Sequence, residues 1–213
     1  MKILVTGGLG FIGSNFILFS LKNYSKIQIT NVDACLTGSN PKNLRELKNS
    51  KRYKFVKSNI KNQKIINELV SKNDLVINFA AESHVDRSIS NPKPFLDSNI
   101  IGTYSILEAI RKYDKKLVQI STDEVYGSLK KNSADETFIL NPSSPYSSSK
   151  ASADLLVKSY NITYGCDIKI SRCTNNYGPR QFLEKLIPKV IINALNDKSI
   201  PVYGNGKNIR DWL

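Results

Sequence analysis

Two residues with complementary proton chemistry, Tyr146 and Lys150, stand four positions apart in the segment Tyr-Ser-Ser-Ser-Lys. On a helix, residues at this spacing share one face, so the ammonium group can approach the phenol. A tyrosine is a base near neutral pH only when its pKa falls from about 10, and a nearby cation favours the phenolate. The pair therefore predicts a base that takes the proton of an alcohol during hydride transfer. The same spacing also occurs on ordinary solvated helix faces, which is the alternative interpretation.

Two adjacent carboxylates, Asp123 and Glu124, follow Thr122 at the end of a predicted strand. In an open α/β sheet the carboxyl ends of the strands border the ligand crevice, where burial can separate two carboxyl pKa values into an acid and a base. Elimination of water needs both groups, because one must protonate the departing hydroxide and the other must take a proton from the neighbouring carbon. A plain alcohol oxidation needs neither. The alternative interpretation is that Asp123 and Glu124 are ordinary acidic residues of a surface loop.

A glycine-rich turn, with Gly7, Gly10 and Gly13, lies between a predicted strand and a predicted helix. Glycine permits a tight turn and lets backbone N–H groups approach a pyrophosphate, which the positive end of the helix dipole stabilises. Asp33 stands twenty residues beyond Gly13, where a carboxylate can accept the adenosine ribose hydroxyls. The acid repels a 2′-phosphate, so the pattern favours NAD over NADP. The alternative for Asp33 is a capping or turn role.

These residues need a sheet to bring them together, and apolar runs of strand length alternate with helical segments along the chain. The patterns predict strands over residues 2–6, 26–32, 53–57, 74–80, 116–121 and 167–172. They predict helices over residues 11–22, 65–72, 94–112, 144–164 and 182–196. The fold class expected is α/β, a Rossmann-type doubly wound parallel sheet followed by the beginning of a smaller C-terminal substrate domain.

The length of 213 residues, with 40% hydrophobic and 23% charged residues, is typical of one folded α/β domain with something attached and excludes a disordered or membrane-spanning chain. We expect residues 1–180 to form an NAD-binding domain. Residues 181–213 are expected to open a substrate domain that continues beyond Leu213. Within them, residues 200–203 are predicted to form a strand and residues 208–213 a second extended segment.

The chain carries 31 Lys and Arg against 18 Asp and Glu, a formal charge of +13. Such an excess invites a nucleic-acid interpretation, but no groove-reading motif accompanies it, so no nucleic-acid partner is expected. The three cysteines lack metal-ligand spacing, so no metal is expected, and an odd number of thiols suits a reducing compartment. The apolar N-terminus reads as a buried strand rather than a signal peptide. The expected location is cytoplasmic, without a membrane partner.

Together, the glycine turn and the Tyr146–Lys150 pair resemble the extended short-chain dehydrogenase/reductase superfamily. Within it, Thr122-Asp123-Glu124 is similar to the signature of the dTDP-glucose 4,6-dehydratase family. The agreement extends through residues 80–88, 171–179, 184–188 and 201–204. Related epimerases and decarboxylases typically carry other residues at the two acidic positions. Asn59 departs from the family, which usually has Asp there, although its amide oxygen can still accept from an adenine amine.

The resemblance implies a hydro-lyase of deoxysugar biosynthesis that converts dTDP-glucose to dTDP-4-keto-6-deoxyglucose. Tyr146 would take the 4-hydroxyl proton, Lys150 would hold the phenolate, and Thr122 would bind O4. Glu124 would remove the C5 proton and Asp123 would protonate the leaving 6-hydroxyl. NAD would accept a hydride from C4, return it to C6, and so be retained between turnovers. Another sugar-nucleotide epimerase or dehydratase, such as one acting on UDP-glucose, and an inactive NAD-binding fragment are the alternatives.

The resemblance also assigns binding residues. The implied catalytic residues are Thr122, Asp123, Glu124, Tyr146 and Lys150. The implied cofactor contacts are Gly7, Gly10, Phe11, Ile12, Gly13, Asp33, Ala34, Cys35, Leu36, Asn59, Ile60, Phe79, Ala80, Ala81, Glu82, Ser83, Ser98, Tyr146, Lys150 and Asn176. The implied contacts with a nucleoside-diphosphate sugar are Ser83, Thr122, Asn175, Lys185, Leu186, Pro201, Val202, Tyr203 and Arg210. His84 is expected to orient its neighbours, and the resemblance implies a homodimer.

Overall fold

A parallel six-stranded sheet organises the chain, with strand order β3-β2-β1-β4-β5-β6. The computed structural model describes residues 1–129, 133–202 and 204–213. The strands are β1 (Lys2–Thr6), β2 (Gln28–Asp33), β3 (Tyr53–Lys57), β4 (Leu75–Asn78), β5 (Lys116–Thr122) and β6 (Ile168–Cys173). All five strand pairings are parallel. This is the doubly wound Rossmann order, and it confirms the predicted α/β class with a doubly wound parallel sheet.

Helices cover both faces of the sheet, as parallel strands require. They are α1 (Phe11–Asn23), α2 (Gln63–Ser71), α3 (Val85–Ser90), α4 (Lys93–Phe95), α5 (Gly102–Tyr113), α6 (Pro145–Tyr164) and α7 (Leu186–Leu195). A π-helical segment, Leu96–Ile101, joins α4 to α5. Short 3₁₀ helices form at Pro41–Leu47 and Asp123–Tyr126.

Two apolar cores lie on opposite faces of the sheet. In β1 the side chain of Leu4 belongs to the core that packs against α2, α5 and α6. The flanking Ile3 and Val5 belong to the core that packs against α1. Successive residues of a strand point to opposite faces, so both faces of β1 are buried and its sequence is continuously apolar.

The chain leaves β1 toward β2 on one side and reaches β4 on the other, so the switch point of the sheet lies between β1 and β4. Segments that follow neighbouring parallel strands diverge at such a point and leave a crevice outside the carboxyl ends of the strands. The glycine turn after β1 and the acidic turn after β5 both lie at this edge. The topology therefore determines where the site forms.

All six sheet strands and the five predicted helices are present, with shifted ends. Residues 200–202 are not a strand, so the strand predicted over residues 200–203 is wrong in the described part of the chain. The last residues pair with the segment after β6 instead: Leu213 N–H donates to the Asn175 carbonyl at 2.8 Å, and Asn175 N–H donates to Asp211. Through these bonds Asn175 and Trp212 form an isolated parallel β-bridge. Among the described residues, no helix combines the length and apolarity needed to cross a membrane.

Candidate functional site

A cleft of about 520 Å³ opens at the carboxyl ends of the strands. The turns after β1, β2, β4, β5 and β6, the N-terminal part of α6 and the segment around α7 all contribute to its walls. The predicted site residues that line it are Gly7, Gly10, Phe11, Ile12, Gly13, Asp33, Ala34, Leu36, Asn59, Ile60, Phe79, Ala80, Ala81, Glu82, Ser83, Ser98, Thr122, Asp123, Glu124, Tyr146, Lys150, Asn175, Asn176, Lys185, Leu186 and Arg210.

The glycine turn is packed too tightly for side chains. Gly7 has a φ of +68°, and a Cβ there would lie 2.6 Å from the backbone of Ala80. A Cβ on Gly13 would lie 2.6 Å from the Gly7 carbonyl oxygen. The residue before α1 is Gly10, so no side chain caps the first amide groups of this helix. A turn of this kind followed by uncapped amide donors fits the pyrophosphate of a dinucleotide.

Asp33 lies at the end of β2 and organises the turn beside the cleft. One carboxylate oxygen, Oδ1, accepts from Cys35 N–H and from Ser39 Oγ, each at 2.8 Å, and Oδ2 accepts from Leu9 N–H at 3.0 Å. A carboxylate has about four acceptor positions. Asp33 therefore combines the capping role with room for one further donor, such as a ribose hydroxyl.

The pair Tyr146 and Lys150 lies in the first turns of α6, which begins with a Ser144 capping box and Pro145. Both side chains are buried, 8% and 4% exposed, and Lys150 Nζ donates to the Ile120 carbonyl at 2.7 Å. Burial lowers the pKa of Lys150 to about 8, and the charge of Asp154 acts in the opposite direction.

The prediction that Lys150 lowers the pKa of the phenol is wrong for this structure. Burial first, and then the charge of Glu124, raise the pKa of Tyr146 above its usual range, while the Thr122 hydroxyl offsets part of that shift. The physical reason is that the phenol is desolvated beside carboxylates. The ammonium group of Lys150 is directed to the Ile120 carbonyl.

The acidic pair forms a single 3₁₀ turn at the end of β5. Thr122 Oγ1 accepts from Glu124 N–H at 3.2 Å and donates to Asp123 Oδ1 at 3.1 Å, which orients both acids. Desolvation and the charge of Asp123 raise the pKa of Glu124, whereas Lys185 and Arg210 oppose the shift. The two carboxylates therefore have different surroundings, as an acid and a base require.

Cations and their partners form one wall of the cleft. Lys185 Nζ donates to the Ser83 carbonyl at 3.0 Å, and burial lowers the pKa of this lysine. The adjacent Glu184 pairs with Arg87 and lies 3.3 Å from His84 Nε2. These contacts tie the loop before α3 to the segment before α7.

Asn99, a residue that the sequence analysis did not single out, joins two parts of the site. Its Oδ1 accepts from Glu82 N–H at 2.9 Å, and its Nδ2 donates to the Glu82 carbonyl at 3.0 Å and to Ser149 Oγ at 2.8 Å. Ser149 Oγ in turn donates to the Tyr146 carbonyl at 2.7 Å. The sequence feature that could have identified Asn99 is that this polar residue lies on the same helical face as the apolar residues Phe95 and Ile106.

Three residues expected at the site do not line this cleft. Cys35 has a left-handed φ of 57°, and its side chain packs against the core on the α1 face. Pro201 and Val202 are exposed beyond α7, because the strand predicted for them does not form. Tyr203 lies outside the described residues. In the described part of the chain, no group of three or more His, Cys, Asp or Glu side chains is arranged to hold a metal ion.

The strand order, the glycine turn and the Tyr146–Lys150 pair beside it define a dinucleotide-binding Rossmann-type protein of the short-chain dehydrogenase/reductase class. The chain belongs to the family described as GDP-mannose 4,6 dehydratase, whose sequence model matches residues 4–213. This membership agrees with the resemblance inferred from the Thr122-Asp123-Glu124 signature.

Individual relatives share the whole of this chain. A dTDP-glucose 4,6-dehydratase from Mycolicibacterium smegmatis is 45% identical over 216 residues, which cover 100% of this chain and 65% of the relative. The crystal structure of a dTDP-glucose 4,6-dehydratase from Bacillus anthracis in complex with NAD is 47% identical, with a TM-score of 0.93 over 100% of this chain and 67% of that one. The chain thus spans about two thirds of the length of these proteins.

The fold alone does not select the reaction. A UDP-glucuronic acid 4-epimerase from Bacillus cereus, solved with UDP-glucuronic acid and NAD, is 32% identical and has a TM-score of 0.94 over 100% of this chain and 68% of that one. Proteins with different chemistry therefore share this backbone, and the residues of the cleft carry the distinction.

Proposed function

We propose that the protein takes part in the NAD-dependent dehydration of dTDP-glucose to dTDP-4-keto-6-deoxyglucose, a hydro-lyase reaction of deoxysugar biosynthesis. The observation that carries this proposal is the meeting of Asp123 and Glu124 with Tyr146 in one cleft. An alcohol base beside an acid and a second base is the set of groups that oxidation followed by elimination of water requires.

Each chemical step has a residue for its proton. Tyr146 Oη takes the proton of the sugar 4-hydroxyl as a phenolate, and Thr122 Oγ1 holds O4. Because burial and Glu124 raise the pKa of this phenol, the proposal requires that the positive charges of Lys150 and of a bound nicotinamide lower it in the complex. The 4-ketone acidifies the C5 proton, which ionised Glu124 removes; its raised pKa makes this carboxylate a stronger base than an ordinary glutamate. Asp123 protonates the departing 6-hydroxyl, and the proton held by Glu124 returns to C5. When bound, NAD supplies the hydride acceptor at C4 and the hydride donor at C6.

The residues of the cleft fit this cofactor. The glycine turn, with Phe11 and Ile12, holds the pyrophosphate at the amino end of α1. Asp33 accepts a ribose hydroxyl, and its negative charge disfavours the 2′-phosphate of NADP. Asn59 and Ile60 lie on the adenine side, whereas Lys150 lies at the opposite end of the cleft. The NAD complexes of the related dehydratases support this assignment.

The nucleoside-diphosphate sugar lies against the wall of the cleft that contains Lys185 and Arg210. Lys185 and Arg210 supply fixed cations for the diphosphate, and both are close enough to Glu124 to affect its pKa. Ser83 and Asn175 face the sugar, with Leu186 beside them. We propose that residues 1–180 form the NAD domain and residues 181–213 begin a substrate domain to which Pro201, Val202 and Tyr203 contribute.

The reaction is tested by mass spectrometry of dTDP-glucose and UDP-glucose incubated with NAD and the purified protein. Loss of one water from dTDP-glucose supports the proposal. Loss of water from UDP-glucose alone would show that the substrate is the UDP sugar instead. Conversion to an isomer of unchanged mass, separated by chromatography, identifies an epimerase. Retained NAD without any product indicates a binding module.

We further propose a cytoplasmic homodimer. Ile101 and Tyr104 on the α5 side, and Leu155 and Ile162 on α6, are exposed apolar side chains that a second copy can cover. The free thiols of Cys35, Cys166 and Cys173 suit a reducing compartment. Light scattering during size exclusion tests the dimer, and a monomeric mass at micromolar concentration contradicts it.

A further inference from the structure

The segment of residues 176–181, which we call the strap, is hydrogen-bonded to Asn15 near the start of α1. Asn15 Nδ2 donates to the Phe11 carbonyl within α1 and to the Pro179 carbonyl in the strap, both at 2.9 Å. Asn15 Oδ1 accepts from Arg180 Nη1 at 3.1 Å. Both the nitrogen and the oxygen of the Asn15 side-chain amide therefore take part in the connection between α1 and the strap.

The strap borders the cleft that also contains the glycine turn. Asn176 and Gln181 at its two ends line the same cleft as Phe11. Gln181 Nε2 donates to the Asn176 carbonyl at 2.9 Å, which closes the ends of the strap on each other. The buried Gln181 Oε1 has no hydrogen-bond partner among the described residues.

Arg180 is held in a backbone conformation that arginine rarely adopts. Its φ is +72°, in the left-handed region that disfavours residues with a Cβ. Its guanidinium group contacts Asn15 and lies 3.9 Å from the Glu46 carboxylate. Surrounding contacts must sustain such a conformation, and residues of this kind often occur at ligand clamps.

We propose that Asn15 and Arg180 form a latch that holds the strap over the bound dinucleotide and slows its release. The inference rests on the proposed function, in which the hydride taken from C4 must return to C6 of the same substrate. A cofactor that left between these steps would end the turnover. The latch therefore serves retention, and the strap has to open before the dinucleotide can exchange.

The test is the exchange rate of labelled NAD. Purified protein is loaded with radiolabelled NAD⁺ and chased with an excess of unlabelled NAD⁺, and the bound label is followed over time. We expect R180A and N15A each to accelerate release by about five- to tenfold, the effect of losing one or two hydrogen bonds. The double variant N15A/R180A should release at a rate close to that of the faster single variant, because both changes open the same latch.

R180G separates the latch from the backbone strain, because it removes the guanidinium group and also relieves the left-handed φ. We expect R180G to match R180A, and R180K to restore slower release in part. R45A, which removes an exposed arginine near Glu46, is the matched control and should exchange label as the unchanged protein does. Thermal denaturation checks that every variant is folded.

Wild-type exchange rates in both R180A and N15A would overturn the latch while leaving the proposed function intact. Fast release in R180A together with wild-type release in R180G would overturn it as well, because the strained backbone would then be responsible. A wild-type protein that binds no labelled NAD⁺ would overturn both the latch and the proposed cofactor.

Discussion

The buried carboxylate of Asp154 accepts a hydrogen bond from Arg172 Nε at 2.9 Å, one helical turn along α6 from Lys150. Arg172 Nη1 also donates to Tyr126 Oη at 2.8 Å. Asp154 raises the pKa of Lys150, although burial is the larger effect and lowers it. The ion pair therefore places a fixed negative charge behind the proposed catalytic ammonium group.

We expect D154N to move the alkaline limb of the pH profile to lower pH. The Lys150 pKa is about 8, so the ammonium group is lost as pH rises through that value. Removing the Asp154 charge lowers this pKa further, and turnover should then decline from a lower pH. The other ionisable side chains nearby, which are Asp123, Glu124, Tyr146 and Cys173, are unchanged in the variant.

The measurement is kcat across pH, with D167N at a surface ion pair as the control. Breaking a buried pair costs about 3–5 kcal/mol of unfolding free energy, so the Tm of D154N should also fall. A lower Tm with an unshifted alkaline limb would assign Asp154 a structural role only.

The two acids should affect different halves of the reaction. D123N should slow water loss by about a hundredfold or more, the typical contribution of a general acid, while oxidation at C4 continues. Single-turnover nicotinamide absorbance follows the oxidation, and mass spectrometry follows water loss. Equal slowing of the two steps would contradict the assignment of Asp123 as the acid for the leaving hydroxyl.

The base Glu124 should define the acidic limb of the kcat profile. Its pKa is raised by desolvation and by Asp123, so the ionised form is lost on acidification at a pH above the usual range for glutamate. E124Q should abolish this limb together with most of the activity. The charge of Lys185 lowers the pKa of Glu124, so K185M should raise this pKa and shift the acidic limb to higher pH.

G7A and G165A form a matched pair at the glycine turn and at the end of α6. Both positions have nearly the same positive φ, +68° and +67°. At Gly165 nothing lies within 4 Å of an added Cβ, so alanine should cost only about 1 kcal/mol of stability. At Gly7 the Cβ meets the backbone of Ala80, so the turn must shift and NAD binding should be lost. Calorimetric titration with NAD and thermal denaturation check both variants, and equal behaviour of the two would contradict the close-packing argument.

N99A should loosen the loop that carries Glu82. The variant leaves the N–H and the carbonyl of Glu82 without their partners, a loss of about 1–3 kcal/mol of unfolding free energy for these partly buried groups. NAD affinity should fall with it. N23A, which removes one exposed hydrogen bond to Phe19, is the control and should change stability by less than about 1 kcal/mol. An N99A protein with unchanged stability would show that the loop does not depend on the hydrogen bonds between Asn99 and the Glu82 backbone, which we call the Asn99 clamp.

Local sequence was sufficient for the sheet, most of the helices and the elements that carry the proposed chemistry. Continuous apolar runs predict parallel strands, because strands covered on both faces need no polar positions. Glycines after β1 and acids after β5 are placed at one edge by the direction of parallel strands. The relation of Tyr146 to Lys150 follows from the 3.6-residue period of α6.

Only the tertiary structure decided the electrostatics and the long-range contacts. The pKa of Tyr146 depends on how deeply the phenol is buried and on the approach of Glu124 from another element, and helix periodicity contains neither quantity. The Asn99 clamp, the Asp154–Arg172 pair and the contact between Asn15 and Arg180 each join segments distant in sequence. Such contacts form when the chain closes on itself, so their partners are selected by packing rather than by local pattern. For the same reason the end of the chain pairs with the segment after β6 and not with its own neighbour.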